Sequence, residues 1–204
     1  MKKENLKLLR VALLLGLVFS LLISSVRFDA GCAELKENIL RLHIIANSDS
    51  EADQALKLKI RDKILLSGCE KFTEAENIDD AILLAKGEIS DFQRIAENVV
   101  RENGFDYQVR VNVQKKYFST RVYDEFTLPA GEYEALCVEI GEAKGKNWWC
   151  VMYPALCVSS ASSDLGESVS SNAKSIATGR EKYVIKFKTV EIFEEIKNFL
   201  KNNK

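Results

Sequence analysis

The stretch ILRLHIIANSDSEADQALKLKIRD, residues 39–62, changes its period halfway, and that change sets the fold. Residues 39–46 are almost all apolar. Alternation puts Leu40, Leu42 and Ile44 on one face and Arg41, His43 and Ile45 on the other, as in a buried strand. Asn47-Ser48-Asp49-Ser50-Glu51 breaks the pattern. Ser48 and Glu51 stand at the S-x-x-E spacing of a capping box, and Asp49 adds negative charge at a helix start. Ala52, Ala55, Leu56, Ile60 and Ile64 then recur at helical spacing, with Asp53, Lys57, Arg61 and Asp62 opposite them. Ser67-Gly68 is the expected stop.

Working outward, Ile78, Ala81, Ile82, Ala85, Ile89, Phe92, Ala96 and Val99 predict a longer helix that begins near Asn77 or Asp79 and ends at Asn103-Gly104. The period then falls to two. Tyr107, Val109, Val111 and Val113 alternate with polar residues, and a Lys115-Lys116 turn predicts a hairpin with a strand over 117–123. Two more strands are expected at 132–140 and 148–153, around the polar loop 141–147. Residues 159–175 hold eight serines and read as a linker or surface loop. Residues 183–188 suggest a short strand. Residues 190–200 suggest an amphipathic helix that buries Val190, Phe193, Ile196 and Leu200. The order predicts an α+β fold, a mainly antiparallel sheet with two N-terminal helices and one C-terminal helix packed against it. The expected units are 1–32, 33–158, a serine-rich linker or loop at 159–178, and a C-terminal strand and helix at 179–204.

The first unit reads as an address. Residues 1–10 carry a charge of +3, and sixteen uncharged residues separate Arg10 from Arg27. A helix of that length spans about 24 Å, between a long signal-peptide core and a short membrane span. A signal peptide and an uncleaved anchor both fit, with the basic flank left on the cytoplasmic side. Gly31-Cys32-Ala33 permits cleavage after Ala33, which leaves residues 1–32 outside the fold. Ala30-Gly31-Cys32 is also similar to the end of a lipobox, but Asp29 replaces its apolar residue.

Composition narrows the function. The net charge is −1 overall and about −4 from Ala33 onward, so there is no electrostatic footprint for nucleic acid. His43 is the single histidine, which excludes His-rich metal sites and two-histidine mechanisms. No cysteine sits in a nucleophile signature, no G-x-S-x-G elbow occurs, and Gly145-Lys146 lacks the rest of a phosphate loop. No catalytic residue, metal site or cofactor is expected. Export favours disulfides. Cys150 and Cys157 bracket a short loop with Pro154 and are expected to pair; Cys137 is expected as a buried thiol or paired with Cys69. Trp148 and Trp149, neighbours on a strand, should point to opposite faces, one of them free to anchor a partner.

Taken together, residues 40–62 and 117–157 resemble the stage II sporulation protein R family of endospore-forming Firmicutes. The pattern RxHxxANSDSxxDQ stands as Arg41, His43, Ala46, Asn47, Ser48, Asp49, Ser50, Asp53 and Gln54, and NWWC as Asn147, Trp148, Trp149 and Cys150, with Cys157 following. The resemblance implies a non-enzymatic signal exported from the forespore into the intermembrane space. It also implies a partner, a membrane-embedded sporulation aspartic protease that processes a pro-sigma factor. It supplies no catalytic residues. Arg41, His43, Asn47, Asp49, Asp53 and Gln54, with Trp148 and Trp149, are then the expected partner-binding patch; a purely internal role, with Arg41 paired to Asp53, is the competing one. A secreted hydrolase or cell-wall-binding module is the alternative class.

Overall fold

The computed structural model describes residues 3–123, 126–154 and 168–202. A long helix α1 (Lys3–Glu37) leads into β1 (Leu40–Ile45). Three helices follow, α2 (Glu51–Thr73), α3 (Ile78–Gly87) and α4 (Ile89–Glu102). Next come β2 (Val109–Phe118), the short β3 (Arg121–Val122) and β4 (Thr127–Leu128), then β5 (Gly131–Ile140) and β6 (Asn147–Tyr153). Helices α5 (Ser171–Thr178) and α6 (Arg180–Asn202) close the described chain.

The main sheet runs β2-β5-β1-β6. β5 pairs antiparallel with β2 and parallel with β1, and β6 pairs antiparallel with β1. The architecture is α+β, as expected, with one parallel step between β1 and β5, which are joined through α2–α4 and β2–β4 rather than by a hairpin. Strand alternation builds two cores. Leu40, Leu42 and Ile44 meet α2, α3 and α4 through Leu56, Ile60, Ile64, Ala85, Phe92 and Ala96. The other face carries Phe118, Tyr133, Ala135, Cys137 and Val151, covered by Phe28, Cys32 and Leu35 of α1, Ala173, Ile176 and Ala177 of α5, and Phe187 of α6.

Several expectations are corrected. Lys115 and Lys116 form no turn: β2 continues through them, opposite Glu134 and Tyr133 of β5, because the long-range ladder supplies backbone partners along its whole length. β3 and β4 pair only with each other. α2 runs past Gly68, which abuts Phe72 and Met152, since Phe72 itself is buried in the first core. The helix after Asn77 breaks at Glu88 into α3 and α4. Residues 171–178 of the expected linker are α5, capped by Ser170. Residues 183–188 are helical within α6, and Phe193, Ile196 and Leu200 are exposed rather than inward. The rest of the serine-rich stretch, up to residue 167, lies outside the described residues.

The expected boundary at residue 32 also differs. The C-terminal part of α1 packs into the body. Phe28 meets Phe187 with ring centroids 5.3 Å apart, and Asn172 donates to the Arg27 carbonyl. Gly31 lies against Ile176 where a side chain would collide, and Glu34 accepts from Ser170. Lys36 pairs with the largely buried Glu194 at 2.8 Å.

Candidate functional site

The motif residues fall into two groups, one at each side of the sheet. The first is a clasp between the β1–α2 turn and the β5–β6 loop. Ser50, not Ser48, caps α2 by accepting from the Asp53 amide, so the Ser48 hydroxyl is free to donate to the Asp53 carboxylate at 2.5 Å. Asn47 donates to the same oxygen at 2.9 Å. Burial alone would raise the Asp53 pKa, but hydrogen bonds from Ser48, Asn47, Tyr107 and Ser50 outweigh it and hold the carboxyl below its usual value. The Asn47 side-chain oxygen accepts from the Glu142 amide, the Asn47 and Ala46 carbonyls accept from Lys144 and Gly145, and Asp49 accepts from the Lys146 amide. Lys57 donates to the Lys146 carbonyl and to Gln54, whose amide returns to the Ser48 carbonyl. Burial, chiefly, lowers the Lys57 pKa, and Arg61 and Lys146 add to the shift against Asp49. The loop reverses through positive φ at Gly141 and Ala143. Asn47, Asp49, Asp53 and Gln54 are thus employed in holding one loop to another.

The second group is a cage on the opposite face. Arg41 is fully buried, with its guanidinium carbon 4.1 Å from the Phe118 ring centroid and 5.1 Å from that of Tyr133. Its Nη2 donates to the Tyr123 hydroxyl at 2.5 Å, while Nε and Nη1 have no hydrogen-bond partner among the described residues. His43, also buried, packs edge-on to Phe118 and tilted against Trp149. Burial, then the charges of Lys116 and Arg41, lowers its pKa to about 4 against a hydrogen bond to Asn147, so it stands neutral. Arg121 lies over Trp149, 3.4 Å from the centroid.

The expected pairing of Arg41 with Asp53 is therefore absent: strand alternation sends Arg41 to the face away from Asp53. Arg41, His43 and Asp53 are all buried, so they offer no open surface in this conformation. The two tryptophans do diverge. Trp148 packs on the first core under Arg61, 4.2 Å from its centroid, and Trp149 joins the cage. Both are half-buried. Phe118, Arg121, Tyr123 and Tyr133 escaped the sequence reading because only cross-strand register brings them to Arg41; the two-residue period of β2 and β5 was the available signal.

Cys150 is disulfide-bonded, on the α2 side of the sheet; Cys157 lies outside the described residues. Cys137 is free and buried on the opposite face, which rules out its pairing with Cys69 of α2. Among the described residues no group of three His, Cys, Asp or Glu side chains converges as for a metal ion.

No solved structure matches the chain. The family model described as stage II sporulation protein R matches residues 36–163. The stage II sporulation protein R of Bacillus subtilis (strain 168) is 30% identical over 162 residues, covering 79% of this chain and 68% of that protein. The matched span takes in β1, the clasp, the cage and both tryptophans, and on it the chain belongs to the stage II sporulation protein R family, a family of sporulation proteins.

Proposed function

We propose that the protein is a non-enzymatic sporulation signal, carried across a membrane by its N-terminal segment, that binds and activates a membrane-embedded aspartic protease, which then processes a pro-sigma factor. The observation that carries this reading, beside the family, is α1. The most apolar 18 residues within its stretch Lys7–Glu37 have a mean hydropathy of 2.3, and none of them is buried in the fold. The same helix continues without a break into the second core. A span that is also a core element holds the body at the bilayer surface, within reach of an enzyme embedded in that bilayer. The test is co-expression with the protease and its pro-sigma substrate in a non-sporulating host. Processing should require all three chains. Equal processing without this chain would refute the reading.

A further inference from the structure

Arg41 is a buried charge for which the described residues supply no acid. A fully buried guanidinium normally faces a carboxylate, because an uncompensated charge in a low dielectric is costly. Among the described residues no acid pairs with it, and Nε and Nη1 bond to nothing. The rings of Phe118, Tyr123 and Tyr133 offer cation–π attraction, which offsets only part of the cost. More positive charge stands beside it. Arg121 is near enough to Arg41 for burial and mutual repulsion to lower its pKa, against an opposing influence of Tyr123, and Lys116 acts on His43 in the same cage. Further unused polar atoms lie nearby on the chain, the Thr120 and Thr127 hydroxyls, with the Nδ1 of His43 and the Nε1 of Trp149.

One edge of this cage is formed by the limb that carries β3 and β4. β3 and β4 are two residues each and belong to a sheet of their own. β4 is rooted, with Leu128 wholly buried, but both residues of β3 are exposed. β3 and the residue after it reach the cage through Arg121 on Trp149 and Tyr123 on Arg41, and Tyr123 also stacks on Phe126, which packs with Leu128 into the second core.

We propose that the cage is a carboxylate-recognition site for an acidic segment of a protein partner, which takes the place of the Tyr123 hydroxyl on Arg41 as the β3 limb lifts. One buried guanidinium calls for one unit of negative charge, which a carboxylate carries. The aromatic walls suit the apolar stem of a Glu or Asp side chain better than a bare, hydrated phosphate. Arg121, exposed at the rim, meets the incoming charge first. This deepens the signalling role above by naming the chemistry of its partner.

The full-length protein in non-ionic detergent, as a Trp148→Phe variant so that Trp149 is the sole emitter, is titrated at constant ionic strength. The probes are a blocked Gly-Glu-Glu-Gly peptide, its glutamine analogue and inorganic phosphate. The acidic peptide should change Trp149 emission saturably and raise the melting temperature; the other two should not. Arg121→Gln should weaken the response about 10-fold with melting of the free protein unchanged, and this variant carries the test if Arg41→Gln fails to fold. An equal response to the glutamine peptide or to phosphate, no response to the acidic peptide, or an undiminished response in Arg121→Gln would overturn the site. Peptide binding is read without any protease, so its failure is distinct from a failure of processing in the co-expression host.

Discussion

At the scale of single residues, two groups make opposite demands on the solvent. His43 is held neutral with a pKa of about 4, below its usual 6.5. The unfolded chain therefore binds this proton more readily than the folded one. The contribution of a neutral His43 is intact above pH 6.5 and is lost as pH falls towards 4, by on the order of 3 kcal/mol. Denaturant unfolding across that window should show the slope, and His43→Gln should flatten it relative to the unmutated chain. A slope unchanged in His43→Gln would assign it elsewhere. The clasp makes the other demand. A Cβ on Gly145 would run into the Ser48 carbonyl, so Gly145→Ala should cost about 1–3 kcal/mol. Gly87, at the end of α3 with open space around it, is the control: Gly87→Ala should be neutral or stabilising in the same thermal melts.

At the scale of elements, α1 is two things in one helix. From Val11 to about residue 23 it is an apolar rod; Ser24 accepts from Lys186, and from Phe28 the helix is a wall of the second core. Phe28 is 3% exposed, and Phe28→Ala should cost about 3–5 kcal/mol in denaturant unfolding. A chain that starts at Ala33 would lose Phe28 and Cys32 together and should unfold at markedly lower denaturant than one that starts at Ser24. β6 is fastened by its cysteine. The bridge is proposed to join Cys150 to Cys157, and reduction should lower stability by about 2–3 kcal/mol on the chain-entropy account. Alkylation of the native protein should leave one short peptide with two masked cysteines, and Cys32 and Cys137, free but buried, should label only on unfolding. Native labelling of both Cys150 and Cys157 would reject the pairing.

At the scale of the molecule, the prediction concerns tethering. Exchange of residues 1–23 for an unrelated uncleaved apolar helix should preserve pro-sigma processing in the co-expression host. Exchange of residues 1–32 should abolish it, because the foreign sequence cannot supply Phe28, Gly31 and Cys32 to the second core. Equal activity of the two exchanges would show that the wall made by α1 is dispensable. The exposed apolar residues of α6, among them Ile185, Phe193 and Phe199, take no part in this prediction, since nothing in the structure shows what covers them.

Local chemistry was enough for much of this protein. The alternation of β1, the helical stripes of α2 to α4, the export-like start and the divergence of Trp148 from Trp149 are all written in neighbours a few residues apart. Periodicity is a short-range property, and short-range terms decide it. Where long-range pairing overrides a local signal, the reading failed. Lys115-Lys116 resembled a turn, yet β5 extends β2 straight through it; residues 183–188 resembled a strand, yet Phe187 packs into the second core on a helix. The burial of the expected partner patch was illegible for the same reason. Arg41 and His43 resembled surface residues because charge and polarity are solvated by default, and only the tertiary structure closes three aromatic rings from three other segments over the guanidinium. The sequence states which side chains are present and which face of a strand each takes; what stands opposite that face is decided by strands as distant as β6, where Val151 pairs with Arg41, and their arrival depends on the burial free energy of the whole domain.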